Sequence, residues 1–202
     1  MDPTFRAYSD RINHAFAYAA LHPVGHVRKG TRVPYMTHPA NVALILARYD
    51  CDDDTIVGAI LHDVVEDCDD HGRDQHERQI TEKFGLEVLQ IVLDVTHVTH
   101  DAEGNALSSE AKKVVYLEHL ANASEKARWV SAADKLHNAR AILADLARTS
   151  NPSIVWKRFN VGRDASIHWY RRVYDRLVAV GFRGAILAEL LDAVKSLEAT
   201  AS

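Results

Sequence analysis

The chain has 202 residues, 47% of them hydrophobic and 26% charged, which suits one globular domain with a buried core and is short for two. A formal net charge of -4 and a pI near 6.3 exclude a protein that binds nucleic acid through bulk electrostatics. Two cysteines, Cys51 and Cys68, are too few for a disulfide framework, and neither a signal peptide nor a bilayer-spanning apolar run is visible, so the expected setting is the cytoplasm with no membrane partner.

Helical periodicity dominates from the start. Residues 5–21 set Ile12, Phe16, Ala19 and Ala20 along one stripe, which Pro23 and Gly25 end. The next stretch, HVRKGTRVPY, is too rich in glycine, proline and basic residues for a helix, and part of it could pair as a short hairpin near 26–35. Thr37 reads as the N-cap of a helix running to about residue 49, with Pro39 near its first turn. Asp52, Asp53 and Asp54 cap a further helix expected to reach about residue 67. A polar loop is expected over 69–75, a helix over 75–84 that Gly85 breaks, and an amphipathic helix over 86–95. Residues 97–108, HVTHDAEGNALS, are the largest irregular stretch and the expected flexible loop or lid.

Helix resumes over 109–120. The clearest pattern follows over 124–147, where Ala127, Val130, Ala133, Leu136, Ala139, Leu143 and Leu146 repeat at a period near 3.6. Asn151 and Pro152 mark a break and a new helix start, leading into an aromatic-rich helical stretch to about 180, and residues 181–197 finish the pattern. Neither an internal repeat nor a low-complexity linker divides the chain. The expected fold is therefore all-α, a single bundle-like domain over 1–202.

One segment, AILHDVVEDCDD at 59–70, sets packing residues directly against acids. Carboxylates near a core are costly unless paired or bound to a cation. Four residues are the candidate metal ligands: His38 at a helix start, the adjacent His62 and Asp63, and Asp134, which is embedded among Ala132, Ala133 and Leu136. Two imidazoles and two carboxylates suit a divalent first-row ion such as Mn²⁺, Fe²⁺ or Zn²⁺, with positions left for water and substrate. The lack of a cysteine in the set argues against a closed structural zinc site.

Glu66 and Asp67, each four residues after one of the paired ligands, read as the base and positioner of the attacking water. Asn138 follows Asp134 by four and can offer an amide to a hydroxyl or phosphate. Arg28 and Lys29, on the loop before His38, supply cations that would admit an anionic substrate to an acidic site. The other histidines, including His14, His22, His71, His76, His97, His100 and His119, lie beside polar residues or in loops and read as surface or packing residues.

Four segments, HVRKGTRVPYMTHPANVALIL, GAILHDVVED, FGLEVLQIVLDVTH and ADKLHNAR, together resemble, in this order, the hydrolase domain of the Rel/Spo alarmone enzymes, part of the HD phosphohydrolase superfamily. The resemblance covers roughly residues 10–180 and is to the small, hydrolase-only members. It implies an all-α fold and Mn²⁺-dependent release of pyrophosphate from the 3′ position of guanosine tetra- or pentaphosphate. It also implies His38, His62, Asp63 and Asp134 as ion ligands and Glu66 and Asp67 as the pair acting on water. Arg28, Lys29, Tyr35 and Asn138 are implied as substrate contacts, and Lys113 and Arg163 as further basic ones.

The chain departs from that pattern at His26, where glutamine is usual, at Lys135 in place of arginine, at Ala141 in place of a hydroxyl residue, and in a loop one residue longer after Lys29. Two other readings stay open. One is an HD-type phosphohydrolase for another nucleotide, such as the 2′-phosphate of NADPH or a nucleoside monophosphate. The other is a module that binds the alarmone without turnover. The expected partner is a small anionic nucleotide, and the oligomeric state is left unassigned.

Overall fold

The computed structural model describes residues 8–21, 27–28, 30–65, 70–101 and 103–200, with the side chains of Asp70 and His71 excepted. Side-chain caps open half of its helices. Ser9, Asp52, Ser108, Ser124 and Asn151 each accept a hydrogen bond from a backbone N–H two or three residues ahead, satisfying a donor that a helix start leaves orphaned. They begin α1 (Asp10–Ala20), α3 (Asp53–Leu61), α6 (Ser109–Asn122), α7 (Glu125–Ala147) and α8 (Pro152–Trp156). Between and after these run α2 (Thr37–Arg48), α4 (Asp70–Phe84), α5 (Leu86–Val95), α9 (Gly162–Ala179) and α10 (Ile186–Ala199).

The long helix α7 is the axis of the bundle. Every residue over 130–136 is buried, including the polar Ser131, Asp134 and Lys135. Such a helix is enclosed by others rather than lying on the surface. Helices α2, α3, α5, α9 and α10 surround it, and their apolar faces join α7 in one continuous core. Helix α3 is likewise buried from Thr55 onward, and Gly58 sets how closely it meets α5. A Cβ at Gly58 would lie 2.5 Å from Ile91 Cγ2, so the two helices approach to a distance that only glycine allows.

The all-α architecture agrees with the reading of the sequence, and several boundaries differ from it. Helix α3 stops at Leu61, not near 67: His62 is its C-cap, and Val64 N–H donates to Leu61 O at 2.9 Å in a tightened turn. Thr37 is the first residue of α2 rather than its cap, because its hydroxyl donates back to Pro34 O at 2.7 Å. Helix α4 begins at Asp70, so the polar segment expected to be a loop over 69–75 is mostly helical. The stretch after Asn151 is two helices, interrupted at Gly162, whose φ of 77° belongs to the left-handed region.

Among the described residues the hairpin near 26–35 is a single antiparallel bridge between Val27 and Pro34, to which proline brings no N–H. A second isolated bridge, His100 to Ala106, lies within the otherwise irregular 97–108 stretch, and there is no strand among the described residues.

Candidate metal centre

Three helices deliver the central residues. His38 lies in the first turn of α2, where its backbone N–H donates to Tyr35 O at 2.9 Å in the turn that leads into the helix. His62 and Asp63 project from the tight turn that ends α3. Asp134 comes from the enclosed middle of α7, with Asn138 one turn further along. His38, His62 and Asp134 are all buried, at 5%, 4% and 7% exposure. One ligand atom from each lies within 4.8 Å of the others. Asp63 completes the group: its carboxylate is 3.0 Å from His62 Nε2 and 3.6 Å from His38 Nε2, while Asp134 Oδ1 is 3.2 Å from His38 Nε2.

This donor set fits a divalent cation. Nδ1 of His62 lies 2.7 Å from the Ala59 carbonyl oxygen, which can only accept, so the ring carries its proton there. In the neutral imidazole the lone pair then belongs to Nε2, which faces a carboxylate oxygen of Asp63. Lone pair against carboxylate is repulsive unless a cation lies between them. Imidazole nitrogens and carboxylate oxygens around one point are the ligands that first-row divalent ions take.

The surroundings hold Asp134 ionised. Burial alone would push the Asp134 carboxyl up, but the Lys135 ammonium beside it holds it well below the usual carboxylate range. Lys135 Nζ donates to Asp134 Oδ2 at 2.5 Å, and Asn138 Nδ2 donates to its Oδ1 at 2.5 Å. Tyr35 donates its hydroxyl to Asp63 Oδ2. The four residues and Tyr35 line a cavity of about 260 Å³ together with Arg28, Val95, His97, Lys135 and Asn138. Arg28 reaches it from the loop before α2 and donates to Asn138 Oδ1 at 2.5 Å.

Of the residues singled out in the sequence, Arg28, Tyr35, His38, His62, Asp63, Asp134 and Asn138 are brought to this one cavity. Lys29, Glu66 and Asp67 lie outside the described residues. Lys113 and Arg163 are not among the lining residues. Lys113 lies on α6 with its ammonium 5.8 Å from the Trp169 ring, one aromatic layer behind the cavity wall. Arg163 pairs with Asp164 at the start of α9 and borders a separate groove with Trp156, Lys157 and Phe159.

Three lining or supporting residues were not assigned to the site from sequence: His97 was read as a surface or packing residue, Lys135 as a departure from arginine, and His137 was not singled out. His97 is a wall of the cavity, stacked on Tyr116 with ring centroids 4.4 Å apart, and burial followed by the Lys135 charge pulls its pKa down to about 4. Lys135 sits over the Tyr116 ring at 4.9 Å as well as on Asp134. His137 lies 2.8 Å from His38. The last two lie inside ADKLHNAR beside residues already chosen, and that adjacency was their only signal.

A pair of histidines and a pair of aspartates is thus held together by the ends and middle of three helices. The family model described as HD domain matches residues 15–161, and the chain belongs to that family. Among curated relatives it is 30% identical over 172 residues to a guanosine-3′,5′-bis(diphosphate) 3′-pyrophosphohydrolase of Drosophila melanogaster, a match that covers 84% of this chain and 86% of that protein. It is 33% identical over 136 residues to a GTP pyrophosphokinase of Myxococcus xanthus, covering 66% of this chain but 17% of that protein's length. The structure superimposes with a TM-score of 0.73 and 27% identity on a metazoan ortholog of SpoT described as hydrolysing ppGpp, covering 93% of this chain and 96% of the other.

Proposed function

We propose that the protein hydrolyses guanosine 3′,5′-bis(diphosphate) and its pentaphosphate counterpart, releasing pyrophosphate from the 3′ position and leaving GDP or GTP. The observation that carries this reading is the convergence of His38, His62, Asp63 and Asp134 on one cavity that Arg28 and Asn138 also line. The fly relative is named for this reaction and the metazoan SpoT ortholog is described as hydrolysing ppGpp, and the matches cover 86% and 96% of those chains, which supports the substrate choice. Residues 1–202 are read as one metal-dependent phosphohydrolase domain, and the cytoplasm is proposed as its setting on the two-cysteine count alone.

A divalent ion held by His38, His62, Asp63 and Asp134, with Mn²⁺ proposed, would make water more acidic and neutralise charge on a phosphate oxygen. Glu66 and Asp67, within five residues of His62, are assigned to orient the attacking water and take its proton. The water oxygen bonds to the phosphorus of the 3′ ester as the bond to the ribose 3′ oxygen breaks, and that oxygen recovers a proton. Arg28 and Lys29 hold the anionic substrate and offset charge growing on the departing groups. Tyr35 steadies Asp63 through its hydroxyl, and Asn138 is available to a ribose hydroxyl while bonded to Asp134.

The test is a product analysis with metal-stripped protein restored with Mn²⁺ and given guanosine tetraphosphate, NADPH and nucleoside monophosphates in parallel. Pyrophosphate and GDP are expected from the alarmone. Orthophosphate from another nucleotide, with the alarmone untouched, would leave the metal centre standing and remove the proposed substrate.

A further inference from the structure

His137 stands between the two halves of the site without belonging to either. Its Nδ1 lies 2.8 Å from His38 Nδ1 and 3.2 Å from Arg28 Nη1, and its ring is 4.9 Å from that of His38. The proton positions follow from chemistry. A guanidinium can only donate, so the His137 Nδ1 must accept from Arg28. A nitrogen that accepts carries no proton, so the contact with His38 forms only if His38 Nδ1 is the donor. His38 is then protonated on Nδ1, and its lone pair lies on Nε2, the nitrogen that faces Asp134 and Asp63.

We propose that His137 is a positioning residue: one imidazole lone pair accepts from both His38 and Arg28, aims the His38 Nε2 lone pair at the ion, and ties the substrate loop to the metal face. The assignment deepens the proposed function and rests on its reading of His38 as a ligand and Arg28 as a substrate contact. A ligating histidine whose second nitrogen is held in this way keeps one tautomer and one ring orientation. Because a single acceptor serves both donors, a shift of Arg28 onto a phosphate alters the hold on His38. Ion and substrate affinity are thereby coupled, and the coupling is reciprocal.

The experiment is calorimetric titration of Mn²⁺ into the full metal-stripped chain, wild type and three variants, with thermal melting to verify folding. His137→Phe keeps a ring and removes the acceptor; it is expected to weaken Mn²⁺ binding by about 10-fold or more and to raise KM for guanosine tetraphosphate. His137→Asn places an amide oxygen where Nδ1 was and is expected to retain Mn²⁺ affinity within about threefold, since an amide oxygen accepts as Nδ1 does. His137→Gln carries the same group one bond further out and is expected to behave like the Phe variant. Folded His137→Phe with undiminished Mn²⁺ affinity would overturn the assignment. Should that variant not fold, equal affinities for the Asn and Gln variants would overturn it.

A readout independent of metal comes from imidazole ¹⁵N shifts of the metal-free protein. His38 is expected protonated on Nδ1 and His137 on Nε2, and the opposite tautomers would overturn the assignment. Wild type that binds no Mn²⁺ while showing the expected tautomers would overturn the metal reading but not the hydrogen-bond arrangement, so the two failures are separable.

Discussion

Helix α7 carries two clusters of charge, and they differ in what surrounds them. At its N-terminal end Lys126 meets Asp52 at 2.7 Å, Glu87 at 2.6 Å and Asp54 at 3.6 Å, with side chains from 24% to 61% exposed. Two turns further on, Asp134 and Lys135 meet His38 and His62 under about 10% exposure or less. In the first cluster one lysine balances acids that water also solvates, and nothing remains for an ion to do. In the second, two imidazoles and the Asp134 carboxylate are buried, and the partly exposed Asp63 carboxylate converges on them. Acidic residues alone therefore do not mark the functional end of α7; the mixture of imidazole with buried carboxylate does. Helix α3 links the two clusters, with its Asp52 cap in the exposed one and its His62 cap in the buried one.

The largest effect that would sharpen this contrast is expected at the buried cluster. Asp134→Asn preserves volume and removes a ligand charge, and its hydrolysis rate is expected to fall by more than the roughly 10–100-fold typical of losing an outer partner. Steady-state kinetics with Mn²⁺ titration would check this, and near-normal turnover would erase the distinction between the clusters. Glu66→Gln is expected to keep Mn²⁺ binding while losing about 100-fold or more in turnover, in the range of a general base. Calorimetry beside kinetics separates the two roles.

Smaller effects are expected on stability. Gly58→Ala forces a Cβ against Ile91 and is expected to cost about 1–3 kcal/mol by denaturant titration, as overpacking does. Because α3 holds the caps of both clusters, its Mn²⁺ affinity should fall as well. Asp52→Ala removes the α3 cap at an expected cost of about 1 kcal/mol at pH 7. Burial pushes the Asp52 carboxyl up, but Lys126 and Thr55 more than offset it and hold the folded value below the ordinary range. A depressed folded value stabilises above the unfolded carboxyl's titration and is lost as pH falls through the folded one. Melting temperatures of wild type and Asp52→Ala should therefore converge below about pH 4. Lys126→Met, the smallest, is expected to change stability by about 0–1 kcal/mol and turnover not at all.

Much of this was readable from residue order. Periodicity placed α5 and α7 closely, and Ser124 announced the α7 start, because a cap and a 3.6-residue repeat are local properties of the chain. Local reading failed where distant contacts decide. No pattern in HDVVED showed that α3 ends at Leu61, since the helix stops where its last turn tightens beneath α2 and α7. Arg163 was implied as a substrate contact only by the resemblance, and it borders a separate groove, with α9 burying Ile167 and Tyr170 instead.

The sequence by itself determined the helical architecture, the ligand types and their order, because periodicity, caps and donor chemistry are written in neighbouring residues. Only the tertiary structure decided that His38, His62, Asp63 and Asp134, separated by up to 96 positions, share one cavity, and that His97, Lys135 and His137 join them. The physical reason is that burial and hydrogen-bond partnership are properties of the packed interior. A histidine's role depends on which atoms face each of its two nitrogens, and those atoms come from other helices.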